Sequence, residues 1–432
     1  MKKKLLPSLV VLFFAILVGC ESSLQQIPAF YFELPGILIK NDTTWSGNLT
    51  LKGQYYVLPG ATLTIEAGTT VEWKYHNQNT ADVGALIALP ADRRNFDDGP
   101  RASGRIVANG TAENPIVFTS ARDQKQPGDW GGIVLAGDAP TGVKGGNGKI
   151  EGLPQVIRYG GSNELDDSGS LKYIRIEYVG FSFIPQSEIN GLSLYAVGSN
   201  TDIDHVQIYK SIDDSFEWFG GSVNAKYLVS MFAQDDSFDI DEGWIGNGQY
   251  WFALQQGTAD SGIEADGVPG SSSTLAPKVY NATLIGPGNT QSGTNNHGML
   301  FRKEFRGTFK NILISRFNGF NWLVADDTDL QYANDNLQFG DMLIYQNGGW
   351  ANDSQTGDDG ILYENIYTQV NPNFIDPQKP VYNFTPQVGV ASNGSVTPSD
   401  SFFNPADYIG AFDPNASALW IYEGNWLRFT DD

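Results

Sequence analysis

Residues 213–221 read Asp-Asp-Ser-Phe-Glu-Trp-Phe-Gly-Gly, and residues 235–243 read Asp-Asp-Ser-Phe-Asp-Ile-Asp-Glu-Gly. The near-duplicate returns after 22 residues, an offset too short for a domain and suited to one coil of a solenoid. Read as a turn leading into a strand, each copy alternates its side chains between two faces. Phe216 and Trp218 then point into one coil and Phe238 and Ile240 into the next, while Glu217, Asp239 and Asp241 face solvent. The hexapeptide GIEADG at 262–267 continues the series, with Ile263 inward and Glu264 outward. Stacking sets Glu217, Asp239 and Glu264 in one column at a strand spacing of about 4.8 Å.

Outward from this pair, β-rich segments begin at Ile174, Val206, Leu228, Trp251, Ala282, Ile312 and Met342, spaced 32, 22, 23, 31, 30 and 30 residues apart. Gly, Asn, Asp and Pro bound each segment and supply the turns, whereas capped helical periodicity is scarce. Leu49 to Trp73 and Gly104 to Ala121 alternate β-branched residues and glycine turns in the same way. A lone strand leaves a face unburied, but stacked coils share one core. The expectation is an all-β chain forming a single right-handed parallel β-helix over residues 39–370, with Ile174, Val206, Leu228, Phe252, Leu284, Ile314 and Ile344 in a common interior. Coils of unequal length predict loops projecting from one side. Residues 371–432 read as a Pro- and Asn-rich loop and an aromatic cap, with Trp420, Tyr422 and Trp426 over the last coil, where open strand edges need covering.

At the other end, three lysines precede an apolar run from Leu5 to Val18, which predicts a signal peptide over residues 1–19. The tetrad Leu17-Val18-Gly19-Cys20 resembles the bacterial lipobox, and Cys20 is the only cysteine, so no internal disulfide explains it. Lipidation of Cys20 and a tether over 20–38 are expected, giving an outer-membrane lipoprotein of the cell envelope. The chain carries 49 acidic against 27 basic side chains, a net charge of −22. That field disfavours nucleic acid and favours cationic ligands or divalent cations; it repels polyanionic glycans unless a metal or local arginines intervene.

Like charges stacked this closely repel unless a cation or a proton intervenes. Two readings of the ladder stand open. In one, Asp213 and Asp235 cap turns through backbone N–H groups while Phe216 and Phe238 stack in the core. In the other, Asp213, Asp214, Asp235, Asp236, Asp239 and Asp241 hold calcium, and Glu217, Asp239, Asp241, Glu264, Arg302 and Trp244 line a ligand site. Trp244 and Trp251, and Trp218 should it face outward, are candidates for an aromatic platform under a sugar. His76, His205 and His297 lack metal-ligand spacing, which disfavours zinc. No phosphate-binding glycine loop and no nucleophile-elbow serine occurs.

The segments GDWGGIVLAGDAPTG (128–142), SLKYIRIEYVGFSF, EINGLSLYAVGS, IDDSFEWFGGSVNAKYLVS and YIGAFDP resemble a family of β-helix lipoproteins of Bacteroidota and some Proteobacteria. The resemblance implies a pectin-lyase-like solenoid in the cell envelope, in the company of TonB-dependent outer-membrane transporters; it implies no activity. A weaker similarity is to polygalacturonases, carried by Asn200-Thr201-Asp202 and Asp213-Asp214. Asp202 precedes Asp213 by only 11 residues, His297 follows Asn296 rather than glycine, and Arg302-Lys303 lacks the expected spacer. The leading functional expectation is a non-enzymatic binding or accessory protein that captures a glycan or cationic ligand and passes it to a transporter. The rival is a polysaccharide hydrolase or lyase using Asp213, Asp214, Asp239 and Arg302; the third is a structural envelope protein.

Overall fold

The computed structural model describes residues 34–77, 79, 82–91, 102–143, 148–153, 156–184, 187–288, 296–320, 322–325, 328, 334–345, 352–353, 366–368, 391 and 394–430. The expected signal peptide over residues 1–19 and Cys20 lie outside them. Among the described residues no helix is long and apolar enough to cross a membrane.

Two long sheets wind about a shared interior. Among the described residues one has 11 strands, from Ile37–Ile39 through Leu192–Tyr195, Phe216–Phe219, Phe238–Asp241, Ile263–Asp266 and Met299–Arg302 to Asn352–Asp353. The other has 14, including Gly169–Val179, Asp202–Ser211, Asn224–Met231, Asn247–Leu254, Lys278–Ile285, Gly307–Ser315 and Leu337–Tyr345. Successive coils pair in parallel in both sheets, as a parallel β-helix requires. The predicted repeat is the observed one: Ile174 pairs with Val206, Val206 with Leu228, and Leu228 with Trp251.

The interior is one cluster running from Ile39 to Ile344, and it contains Ile174, Val206, Leu228, Leu284, Ile314 and Ile344. Phe252 is the exception. Its neighbour Trp251 fills the interior, so alternation turns Phe252 outward into a second cluster with Phe412 and Trp426. Trp218 is interior, as alternation predicts, and so are Trp244 and Trp251, the other candidates for a sugar platform: Trp218 and Trp251 stack at 4.9 Å, Trp244 lies 5.2 Å from Trp218, and none is more than 1% exposed. Burying rings of this size in a narrow coil yields more than leaving them wet.

A column of left-handed residues bends the 14-stranded sheet. Tyr173, His205, Tyr227, Tyr250, Asn281, Asn311 and Asp341 have φ between 47° and 60°, and the paired residues on either side keep register. Only Asn and Asp take this conformation readily; elsewhere it costs roughly 1–2 kcal/mol. Ring stacking offsets the cost. His205 lies between Tyr173 and Tyr227 at 4.2 Å from each, and Tyr227 stacks on Tyr250 at 4.9 Å.

The aromatic tail packs as a cover, but over a flank rather than over the last coil. Residues 394–430 return along the outer face of the 14-stranded sheet, where side-chain amides grip the backbone as a neighbouring strand would. Gln207 exchanges two 2.7 Å hydrogen bonds with the backbone of Arg428, Gln249 pairs likewise with Asn404 at 2.8 and 2.9 Å, and Asn311 with Ser395 at 2.7 and 2.8 Å. Trp420 and Trp426 meet the His205 ring edge-on.

Candidate functional site: an acidic groove

On the outer face of the 11-stranded sheet the predicted column exists. Glu217 pairs with Asp239 and Asp239 with Glu264, while Phe216 stacks on Phe238 inside at 5.5 Å. A parallel column one step along carries Asp241, and Asp266, which pairs with Arg302. The strands end at a left-handed corner, with Ala196, Gly220, Glu242 and Lys303 all at positive φ. This explains the glycines closing the first motif: a Cβ on Gly220 or Gly221 would sit 2.7 Å from Thr141 or 2.5 Å from the Val197 carbonyl.

The turn before each strand is capped by the second aspartate of each pair, not the first. Asp214 Oδ1 accepts the Asp236 N–H at 2.8 Å, and Asp236 Oδ1 accepts the Ser261 N–H at 2.5 Å. Each cap therefore reaches to the following coil. Asp213 and Asp235, expected as the caps, are left to the groove.

The carboxylates are less exposed than a solvent-facing ladder would be. Glu217 is only 7% exposed, because segments inserted between coils fold over the sheet. A hairpin of Gly148–Lys149 and Arg158–Tyr159 brings Tyr159 onto Tyr195, which stacks on Phe219 at 4.1 Å. Tyr159 Oη donates to Glu242 Oε2 at 2.6 Å, and Thr141 Oγ1 donates to the same oxygen at 2.9 Å, pinning this wall to the corner. A second hairpin, Phe181–Ile184 with Ser187–Ile189, adds Glu188. At the far end Arg302 forms a fork on Asp266 at 2.7 and 3.0 Å and also binds Glu264, and Lys303 binds Asp266 at 2.5 Å.

Burial first, and then the crowding of like charges, raises nearly every acid here. Burial and Asp235 push Asp213 up to about 7; burial and Glu188 do the same to Glu151. Burial takes Glu264 to about 7 despite Arg302. Burial drives Asp214, Glu217, Asp236 and Asp239 well above the carboxylate range, each reinforced by neighbouring carboxylates. Asp266 is the contrast, since burial would raise it but hydrogen bonds from Arg302 and Lys303 pull it below its ordinary value. Such a groove holds shared protons, or a cation in their place.

Among the described residues, three groups present carboxylate oxygens within 4.8 Å of one another: Asp213, Asp214 and Asp235; Asp214, Glu217 and Asp239; and Asp235, Asp236 and Asp260. Five of the six predicted metal ligands fall in these groups. Asp241 does not, and its Oδ1 accepts the Glu242 N–H at 2.5 Å. Asp239 Oδ1 is buried without a hydrogen-bond partner among the described residues.

Other expectations are redistributed. Trp244 is turned into the interior and donates to the Val223 carbonyl at 3.0 Å. Asp202 stands on the 14-stranded sheet and pairs with Lys172 at 2.5 Å, apart from Asp213 and Asp214 in the fold, so the polygalacturonase-like set is not assembled. His297 stacks on Phe320 and its Nδ1 accepts the Phe320 N–H at 3.0 Å. Glu151, Glu188, Glu242, Asp260 and Asp266 were not anticipated. Asp260 and Asp266 had a signal, lying one coil after Asp235 and Asp241 around GIEADG. Glu151 and Glu188 arrive on insertions that no repeat encodes.

Fold and groove together define a parallel β-helix with an acidic, partly covered face. A family model described as a pectate-lyase-like β-helix domain matches residues 37–373, and the chain belongs to that family. No curated protein and no solved structure matches it.

Proposed function

We propose that this is a lipoprotein of the cell envelope, tethered through Cys20, that captures a ligand at the acidic groove by way of a bound divalent cation, calcium first. The observation that carries this reading is the in-register stack of Glu217, Asp239 and Glu264 beside Asp214, whose nearby cations, Arg302 and Lys303, are already engaged by Glu264 and Asp266. Hard oxygen ligands in this density suit calcium, with ligand distances of about 2.3–2.6 Å. A bound dication also reverses the local field, letting an otherwise repelling groove accept an anionic group such as a glycan carboxylate. Thermal melting of chelated protein with and without millimolar calcium tests it, since a ligand held by the folded state alone raises the midpoint as its concentration grows. An unchanged midpoint sinks the cation reading.

Binding is favoured over catalysis because Arg302, the candidate base, is held charged: burial opposes its cation, but the fork on Asp266 and the charge of Glu264 outweigh it. A general base must give up its proton near working pH. Membership of a pectate-lyase-like family supports a second reading, a polysaccharide hydrolase or lyase on the same face. Reducing-sugar and unsaturated-product assays with calcium present separate the two. Delivery to an outer-membrane transporter is a further part of the proposal, and purification from native membranes without a transporter would count against it.

A further inference from the structure

We infer that the groove holds two divalent cations per chain rather than one: the first on Asp214, Glu217 and Asp239 with the amide oxygen of Asn190, the second on Asp235, Asp236 and Asp260 with the amide oxygen of Asn296. The inference rests on the cation reading above and adds its stoichiometry and ligand sets. Of the three close groups, the one built on Asp213 shares Asp214 with one neighbour and Asp235 with the other, whereas those two neighbours have no residue in common. Two ions therefore fit without competing for a ligand only when the Asp213 group stands empty.

The amides are an independent observation. Asn190 and Asn296 are both fully buried, and each has a side-chain oxygen with no hydrogen-bond partner among the described residues. An orphaned buried polar atom is costly and calls for an explanation. Each lies at one group and not the other. Asn190 Nδ2 donates to Glu217, and the strand that follows it, Leu192–Tyr195, pairs with the strand bearing Glu217. Asn296 Nδ2 donates to the Asp260 carbonyl and, at 3.0 Å, to that of Ala259, and it precedes the strand that pairs with Ile263–Asp266. Calcium takes the neutral amide oxygen of asparagine beside carboxylates, and the inference assigns that role to the unpartnered oxygen at each group.

The caps make the groups alike. Asp214 and Asp236 each use one oxygen on the N–H of the next coil, which fixes the carboxylate and leaves the other oxygen for an ion. Glu217 and Asp239 complete the first group from the strand, and Asp235 and Asp260 complete the second from the turn.

Equilibrium dialysis of chelator-stripped protein against calcium, with metal counted by atomic emission, gives the test. Two ions per chain are expected, the second binding at least several-fold more weakly because like charges repel. Asp239→Asn should remove one ion and Asp260→Asn the other, the double variant binding none while keeping the circular dichroism of the parent. A single ion on the unmodified chain overturns the inference and leaves the cation reading standing; none overturns both. Loss of both ions on Asp260→Asn alone, or of either on Asp213→Asn, also overturns the assignment. The count on the unmodified protein is decisive even where a variant fails to fold.

Discussion

The two outer faces of this β-helix stack like upon like with opposite consequences. On the 14-stranded sheet the stacked groups are rings and amides: Tyr173, His205, Tyr227 and Tyr250 lie face to face, while Gln207, Gln249 and Asn311 clasp the returning tail. On the 11-stranded sheet the stacked groups are carboxylates, and most are pushed toward protonation by burial and by one another. A repeat spacing is neutral as to chemistry. It turns a ring into a stack, an amide into a clasp and an acid into a demand for a counter-ion.

The comparison is broken most severely from the interior that both faces share. Trp251→Ala removes a fully buried indole that stacks on Trp218 and Phe238, and should cost about 3–5 kcal/mol in urea unfolding. A smaller loss would mean that the coils relax into the cavity. Gln249→Ala tests the ring-and-amide face. It strips two hydrogen bonds from Asn404 and should cost about 1–3 kcal/mol, with protease nicking of the tail appearing before global unfolding. Unchanged tail protection and unchanged global stability would show the clasp to be ornamental.

The acidic face should respond in the opposite sense. In chelator, Asp239→Asn relieves repulsion between carboxylates one coil apart and should stabilise by about 1 kcal/mol, whereas with calcium present the same change should cost stability. Destabilisation in both conditions would make Asp239 an ordinary structural residue. The remaining test is the pH slope of the metal-free protein. Asp213, Glu151 and Glu264 hold protons up to about 7 when folded and only to about 4 when unfolded. Their contribution is thus complete below about pH 4 and is lost as pH rises through 7. Asp266, whose value is lowered, works the other way, but only at the acid limit. The melting temperature in chelator should fall from pH 5 to pH 8, and calcium should flatten that fall. A rising curve would show the groove carboxylates to be ionised and hydrated.

The fold was legible because coil repetition writes itself as an offset: Ile174, Val206, Leu228 and Trp251 align in sequence as they do in space. The error at Phe252 came from face assignment within a correctly placed strand, where Trp251 was read as a candidate sugar platform and Phe252 as the core residue. The left-handed column was hidden, since Tyr173, His205 and Tyr227 are not residues that announce positive φ. For the site, alternation fixed the column Glu217, Asp239 and Glu264 and its register. Depth was beyond it, because the walls come from insertions, and so was the role of Asn190, whose segment EINGLSLY shares no acidic motif with the coil it adjoins.

The returning tail also acts as a gauge of length. It is fastened to Asn311, Gln249 and Gln207 on separate coils, and at its far end Asn425 donates to the Ala112 carbonyl at 2.8 Å. A solenoid grows or shrinks by whole turns at little cost to its ladders, and excising residues 213–234 would leave every strand a partner. Yet the fastenings at Gln207 and Gln249 lie on either side of that turn, so the tail would no longer reach its own anchors in step. A chain strapped in this way is held to its number of turns, and with it to the number of acids it can line up.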